Sequence, residues 1–415
     1  MNATLFKNVH VLDVRAGQLL EDHQVLVEGD AIRELSDRPI TATTARVIDG
    51  GGRTLMPGLI DCHVHVTFSQ TNLGLLAQTP QTTLALRALP ILRGMLRRGF
   101  TTVRDAGGAD WALKQAIDDG IDGTVTGPRL FVSGPALSPT GGHGDFRPRS
   151  DRLQPIGCGC QRLASTRVVD GVDAVRRAVR ELLQMGADQI KIMSSGGVAS
   201  PTDPVNALGY SLEETRAIVD EAAARHTYVL AHAYTPEAIR RAVECGVRSI
   251  EHGNLIDAPT AALMAERGAF AVPTLITYEA LARDGARLGL GAESVAKIEQ
   301  VRAAGLKSLE ILKTAGGRMA YGTDLLGASH DLQSEEFLIR AQVQSNLEVL
   351  QSATLIGAEL LNQVGVIGEI ASGARADLLL VDGNPLADLS CLTGQGERIP
   401  LVMQGGKLRV NELRA

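Results

Sequence analysis

At 415 residues, 44 % hydrophobic and 21 % charged, the chain has the balance of a globular protein with ample core, which excludes a disordered or fibrous class. A formal net charge of −6 without a block of Lys or Arg argues against nucleic acid or an anionic membrane surface as partner, so small molecules are expected instead. Five scattered cysteines make no disulfide framework, no run reaches about 18 apolar residues, and Lys7, His10, Asp13 and Arg15 stand where a signal peptide needs an apolar segment, so a cytoplasmic protein without a membrane span is expected.

From Thr4 to Pro57 the chain shows short β-rich runs, Thr4 to Val11, Gln24 to Glu28 and Ala45 to Ile48, separated by Gly, Asp and Pro. The same texture returns in Ala376 to Asp382 and in Pro400 to Val410. Short strands need partners to bury a face, so the two ends, 1–57 and 364–415, are expected to meet in one small β-sandwich domain with 58–363 inserted between them. Within the insert, short apolar strands alternate with longer segments of helical period. The strands are read at Leu59 to Val66, Thr101 to Arg104, Arg129 to Ser133, Gln189 to Met193, Tyr228 to Ala231, Ser249 to His252, Phe270 to Leu275 and Arg318 to Gly322. Helices between them include Val172 to Met185 and Leu212 to Arg225, with apolar positions three and four apart. Eight such units predict an α/β fold, a (β/α)8 TIM barrel whose functional groups sit at the carboxyl ends of the strands. A doubly wound open sheet is the structural alternative.

The strand ends carry polar residues. His63 and His65 are two apart at the end of the first strand, so both imidazoles face one side and form half of a divalent-metal site. The fourth strand places Lys191 between Ile190 and Ile192, where an unpaired ammonium is costly. His232, His252 and Asp324 close the fifth, sixth and eighth strands. Each alone reads as a core histidine or a cap, but together they mark one rim. Tyr234, two residues after His232, shares its side, and His143 stands in a glycine-rich loop after the third strand; both are read as substrate contacts. Asp105 is read as pairing with Arg104 or capping a turn. His10, His23, His226 and His330 are left as structural or surface residues, Cys62 as core, and Cys158 and Cys160 as loop residues.

The order His-x-His, Lys, His, His, Asp, opened by Met56-Pro57-Gly58-Leu59-Ile60-Asp61-Cys62-His63-Val64-His65, resembles the amidohydrolase superfamily over nearly the whole chain. Val103-Arg104-Asp105-Ala106-Gly107-Gly108, the segment Ser138 to Gly144 and the segment Lys191 to Pro204 are similar to its binuclear peptidase branch, which includes Xaa-Pro dipeptidases, N-acyl amino acid hydrolases and ochratoxin-hydrolysing amidohydrolases. That resemblance implies two Zn2+ or other divalent ions and a Lys191 carboxylated by carbon dioxide, which turns the buried cation into a bridging anion. It implies His63, His65, Lys191 and Asp324 on one metal and Lys191, His232 and His252 on the other, with attack by a bridging hydroxide and Asp324 as the proton shuttle. Relatives are usually assemblies, so a homo-oligomer is expected.

The function this implies is hydrolysis of an amide or peptide bond beside a free carboxylate, in dipeptides, N-acyl amino acids or aryl-acyl amides of phenylalanine such as ochratoxin. The alternative is hydrolysis of a cyclic amide or imidazolone, although branches with a single metal generally lack the bridging lysine. A third reading, a non-enzymatic scaffold, conflicts with every ligand position being filled.

Overall fold

A computed structural model describes residues 3–120, 125–147, 165–200, 203–285 and 290–413. The β-rich runs at the two ends do pair. Ala3–Asp13, Gln18–Glu28, Ala31–Ser36 and Arg46–Pro57 from one end join Leu378–Val381, Leu401–Gln404 and Lys407–Asn411 from the other in one seven-stranded sheet. The join is the antiparallel register of Leu378–Val381 against Thr54–Pro57. At the far edge, the Ile32 N–H donates to Ala374 O at 2.8 Å and the Ala376 N–H to Asp30 O at 2.8 Å. The sheet therefore rolls back toward its own middle. Phe6, Val25 and Val27 then share a core with Leu378, Leu380, Leu401 and Met403, while Leu379 and Val381 on the other face pack with Leu59 and Phe100, so all four residues of Leu378–Val381 are buried. At roughly 1.5–3 kcal/mol for each large apolar side chain buried, neither end would hold this core alone.

Eight strands of the insert form a ring at the expected positions: Leu59–Val64, Phe100–Asp105, Arg129–Val132, Ile190–Met193, Val229–Ala233, Ser249–His252, Phe270–Val272 and Arg318–Met319. Neighbours pair in parallel through most of the ring. Two seams complete it. Between the third and fourth strands, the chain breaks at Gly134, whose φ of +64° favours glycine, and resumes as Ala136–Ser138, which pairs with the fourth strand. Between the eighth and the first, the Cys62 N–H donates to Tyr321 O at 2.7 Å and the Asp324 N–H to His63 O at 2.8 Å. An open doubly wound sheet would leave a gap between its two edge strands, and both seams are bonded here, so the barrel is the fold.

Outward strand residues such as Ile190, Ile192, Val229 and Ala231 pack with Val175, Val179 and Leu182 of the helix Val172–Gln184 in one core. That alternation leaves Lys191 and His232 on the inner side. The helix Leu212–Ala223 begins in a capping box between Ser211 and Glu214. The seventh strand is shorter than its apolar run suggested: it stops at Val272, Pro273 follows, and Leu275 already opens a helix. No described helix is long and apolar enough to cross a membrane.

Candidate functional site

The carboxyl rim brings all eight sequence-predicted residues into one cavity of about 70 Å3: His63, His65, Lys191, His232, His252 and Asp324, with His143 and Tyr234. A larger hollow of about 400 Å3 opens at the opposite, amino-terminal mouth between Asp188, Thr227 and Leu361. The group of His and Asp side chains with metal-ligand spacing among the described residues lies at the rim, so the chemistry belongs to the smaller cavity.

Ligand atoms of His63, His65 and Asp324 lie within 4.8 Å of one another. His63 Nε2 is 3.4 Å and His65 Nε2 3.2 Å from Asp324 Oδ1. The second pair is close by, with ring centroids 5.0 Å apart for His63 and His252 and 4.7 Å for His232 and His252. Every one of the four imidazoles has one nitrogen held by the protein. His63 Nδ1 donates to the Glu251 carboxylate at 2.6 Å, His65 Nδ1 to Gly107 O at 2.8 Å and His232 Nε2 to Gly196 O at 3.1 Å, while His252 Nδ1 meets Thr274 Oγ1 at 2.8 Å. A ring nitrogen that donates to a carboxylate or carbonyl carries the proton, so its opposite nitrogen presents a lone pair. His63 Nε2 is such an atom, buried and without a hydrogen-bond partner. Imidazole lone pairs converging with a carboxylate are a donor set for zinc or a similar divalent ion, and the residues present fit that group.

The electrostatics agree. Burial drives the His232 and His252 imidazoles well below their ordinary range, with neighbouring His143 acting the same way on His232, so both are neutral. Burial alone would raise the Asp324 carboxyl, but the neighbouring imidazoles, His63 first and then His65 and His252, outweigh it and hold the group well below the usual carboxylate range. Lys191 is 2 % exposed and makes no hydrogen bond or ion pair among the described residues. Burial lowers its ammonium to about 8.

Two of these residues have unusual backbones. His252 and Asp324 have φ of 72° and 54°, a left-handed conformation that costs a non-glycine residue roughly 1–2 kcal/mol. The turn explains why His252, which directly follows the inward-facing Glu251, also reaches the cavity.

Glu251 itself went unread in the sequence. Both of its oxygens accept from the Arg104 guanidinium at 2.9 Å, and Arg104 also donates to Cys62 O at 2.6 Å and to Ser249 Oγ at 3.0 Å. Burial would raise the Glu251 carboxyl, yet Arg104 and His63 hold it well below the usual range, so a fixed charge orients the His63 ring. Arg104 therefore pairs across the barrel and not with Asp105, which instead caps a turn by accepting the N–H groups of Val66, Gly107 and Ala109. The cue for Glu251 was weaker than the one that singled out Lys191: an ionisable residue inside a buried strand, but with Ser249, Ile250 and His252 around it and not two isoleucines. Tyr278, whose hydroxyl is 2.9 Å from that of Tyr234, was also missed. It sits on a helix beyond the seventh strand, where no strand-end pattern points to it. His330 is buried against Phe68 O, Cys62 is core, and Cys158 and Cys160 fall outside the described residues.

His143 stacks on His232 with ring centroids 4.3 Å apart, and its Nδ1 lies 2.7 Å from Ser200 Oγ. Burial lowers its imidazole to about 4, against the opposing charge of Asp203. The glycine that admits the ring is not in its own loop. A Cβ on Gly197 would stand 2.0 Å from His143 Cε1. Gly197→Ala is therefore expected to displace His143 and lower kcat/KM by about tenfold, the scale of one hydrogen bond, with the fold intact by circular dichroism. Steady-state kinetics check this, and a wild-type kcat/KM would mean that His143 does not touch substrate.

Residues 54–408 match the model of the amidohydrolase family. Ochratoxinase of Aspergillus niger is 33 % identical over 366 residues, spanning 85 % of this chain and 75 % of that protein. The crystal structure of an amidohydrolase superposes over 100 % of both chains at 60 % identity with a TM-score of 0.97. That of a prolidase complexed with N-methylphosphonate-L-proline covers 98 % of this chain and 99 % of its own at 56 % identity, with a TM-score of 0.95.

Proposed function

The chain belongs to the amidohydrolase family and is a hydrolytic enzyme acting on C–N bonds, and on that premise we propose that it is a binuclear zinc hydrolase of amide or peptide bonds beside a free carboxylate. The observation that carries this reading is Lys191, a buried amine without a partner among the described residues, set amid four histidines and an aspartate. An amine lowered to about 8 is partly neutral near pH 7, the form that adds carbon dioxide. As a carbamate, Lys191 would join His63, His65 and Asp324 on one ion and His232 and His252 on the other. When bound, two divalent ions polarise the scissile carbonyl and lower the pKa of the attacking water.

The chain's own groups do the rest. Asp324 accepts the proton of the attacking water and returns it to the leaving nitrogen. Glu251 and Gly107 O keep the His63 and His65 rings from turning. Tyr234 and His143 supply donors on the substrate side of the cavity. Residues 1–57 with 364–415 form the supporting β domain in this reading, and 58–363 the catalytic one.

Substrate class follows from the lining. Phe68, Leu73, Val198, Leu281 and Leu326 make the walls apolar, which suits an apolar acyl group or side chain. The prolidase bound to a proline phosphonate and the ochratoxinase support an N-acyl amino acid or Xaa-Pro dipeptide, with aryl-acyl phenylalanine as one member. A screen of N-acyl amino acids and dipeptides tests the proposal, each as the free acid and as its carboxyl-terminal amide. The acid is expected to be hydrolysed with a kcat/KM at least ~10-fold higher, because donors built for a charged oxygen stay unpaired against the amide. His143→Ala should narrow the gap. Equal rates on acid and amide would show that no carboxylate is read and would favour an uncharged or cyclic amide.

A further inference from the structure

Thr274 occupies the N-cap of the helix Leu275–Asp284, where a threonine hydroxyl ordinarily accepts a backbone N–H of the first turn. Here it makes no such bond. The Ile276 N–H donates to the Glu336 carboxylate at 2.7 Å, and the Thr274 hydroxyl, fully buried, meets His252 Nδ1 at 2.8 Å instead. One turn along the helix stands Tyr278, on whose phenol the hydroxyls of Thr274 and Tyr234 both act. The two tyrosine oxygens are 2.9 Å apart, and both rings are buried against the cavity.

These contacts have a direction. With His252 Nε2 presenting its lone pair to the cavity, Nδ1 carries the proton and donates to Thr274 Oγ1. The Thr274 O–H is then free to donate to the Tyr278 oxygen, and the Tyr278 O–H to the Tyr234 oxygen. The Tyr234 O–H is left with no acceptor among the described residues, and it opens on the cavity. We propose that Tyr278 is a positioning residue which, through this one-way chain from His252 by way of Thr274, turns the Tyr234 hydroxyl proton toward the oxygen of the scissile carbonyl. The inference rests on the amide hydrolysis proposed above and deepens it, since it gives Tyr234 to the developing oxyanion and leaves the substrate carboxylate to His143.

The test compares wild type, Tyr278→Phe, Tyr234→Phe and the double variant, all zinc-loaded, on the N-acyl amino acid best cleaved in the screen. Tyr234→Phe is expected to lower kcat by about 10²-fold, the scale of one oxyanion donor. Tyr278→Phe should lower kcat by about tenfold, the scale of one hydrogen bond, with KM and zinc content unchanged. The double variant should be no slower than Tyr234→Phe, because a chain without its last member transmits nothing. A tetrahedral phosphonate analogue of the same substrate should lose affinity for Tyr278→Phe in step with kcat, whereas the amino acid product should not. Losses that add in the double variant, or a wild-type kcat in Tyr278→Phe, would overturn the inference while leaving the hydrolase reading intact. A wild-type protein that cleaves neither an acyl amino acid nor a dipeptide would remove both readings together.

Discussion

Lys191→Ala is expected to fold, to retain one divalent ion in place of two, and to lose kcat on the order of 10³-fold, the upper scale for removing a preorganised electrostatic element from an active site. Folding should survive because the Lys191 ammonium has no hydrogen bond or ion pair to lose among the described residues, and its removal relieves a desolvation cost. The metal-free variant should therefore melt close to the metal-free wild type. Binding of the second ion should not survive, since a methyl group offers no oxygen to bridge two ions, and that ion would be left with His232 and His252 alone. Elemental analysis after dialysis reads the stoichiometry directly. A short carboxylic acid such as propionate in the buffer supplies two oxygens where the carbamate stood, so it should restore part of both the second ion and the rate. Unchanged metal content together with an unchanged rate would remove the binuclear reading.

Some of this site was open to reading in the sequence and some was not, and the division follows the range of the interactions. His63 and His65 share a face by strand periodicity, and Lys191 stands out because both its neighbours are isoleucines, so local pattern alone exposes them. Glu251 lies in an equally buried strand, but one with Ile250 as its sole apolar residue, and its role depends on Arg104, 147 residues away, and on closure of the ring that brings them together. The left-handed backbones of His252 and Asp324 leave only a faint mark in residue type, since histidine and aspartate tolerate positive φ better than most side chains but adopt it seldom. Gly197 shows the same limit from the other side: the glycines near His143 in sequence were the visible ones, whereas the ring is admitted by a glycine of the next strand's loop. At the fold level, the texture of the two ends predicted that they pair, but not that Leu378–Val381 would be inserted between the N-terminal half and the last two strands.

Asp324→Asn separates the base from the ligand. Asparagine keeps the volume and one carbonyl oxygen, and it is among the few residues that tolerate a φ of 54°, so the turn that aims the side chain should be undisturbed. What it lacks is a charge that His63 and His65 hold at 3.4 and 3.2 Å and a basic oxygen to take a proton. Metal content should therefore stay near two ions per chain, supported by the four histidines and the Lys191 carbamate, while kcat falls by at least ~10²-fold, the usual scale for a positioned acid–base group. The loss should fall on kcat more than on KM, because the proton moves only in the transition state. Replacing the substrate's leaving group with one that departs without protonation, a nitroanilide in place of an amino acid, should recover only part of the rate, since the water must still lose its proton. A kcat near wild type in Asp324→Asn with both ions in place would transfer proton shuttling to another group at the rim, with His143 first in line because its imidazole is the one not proposed to hold metal.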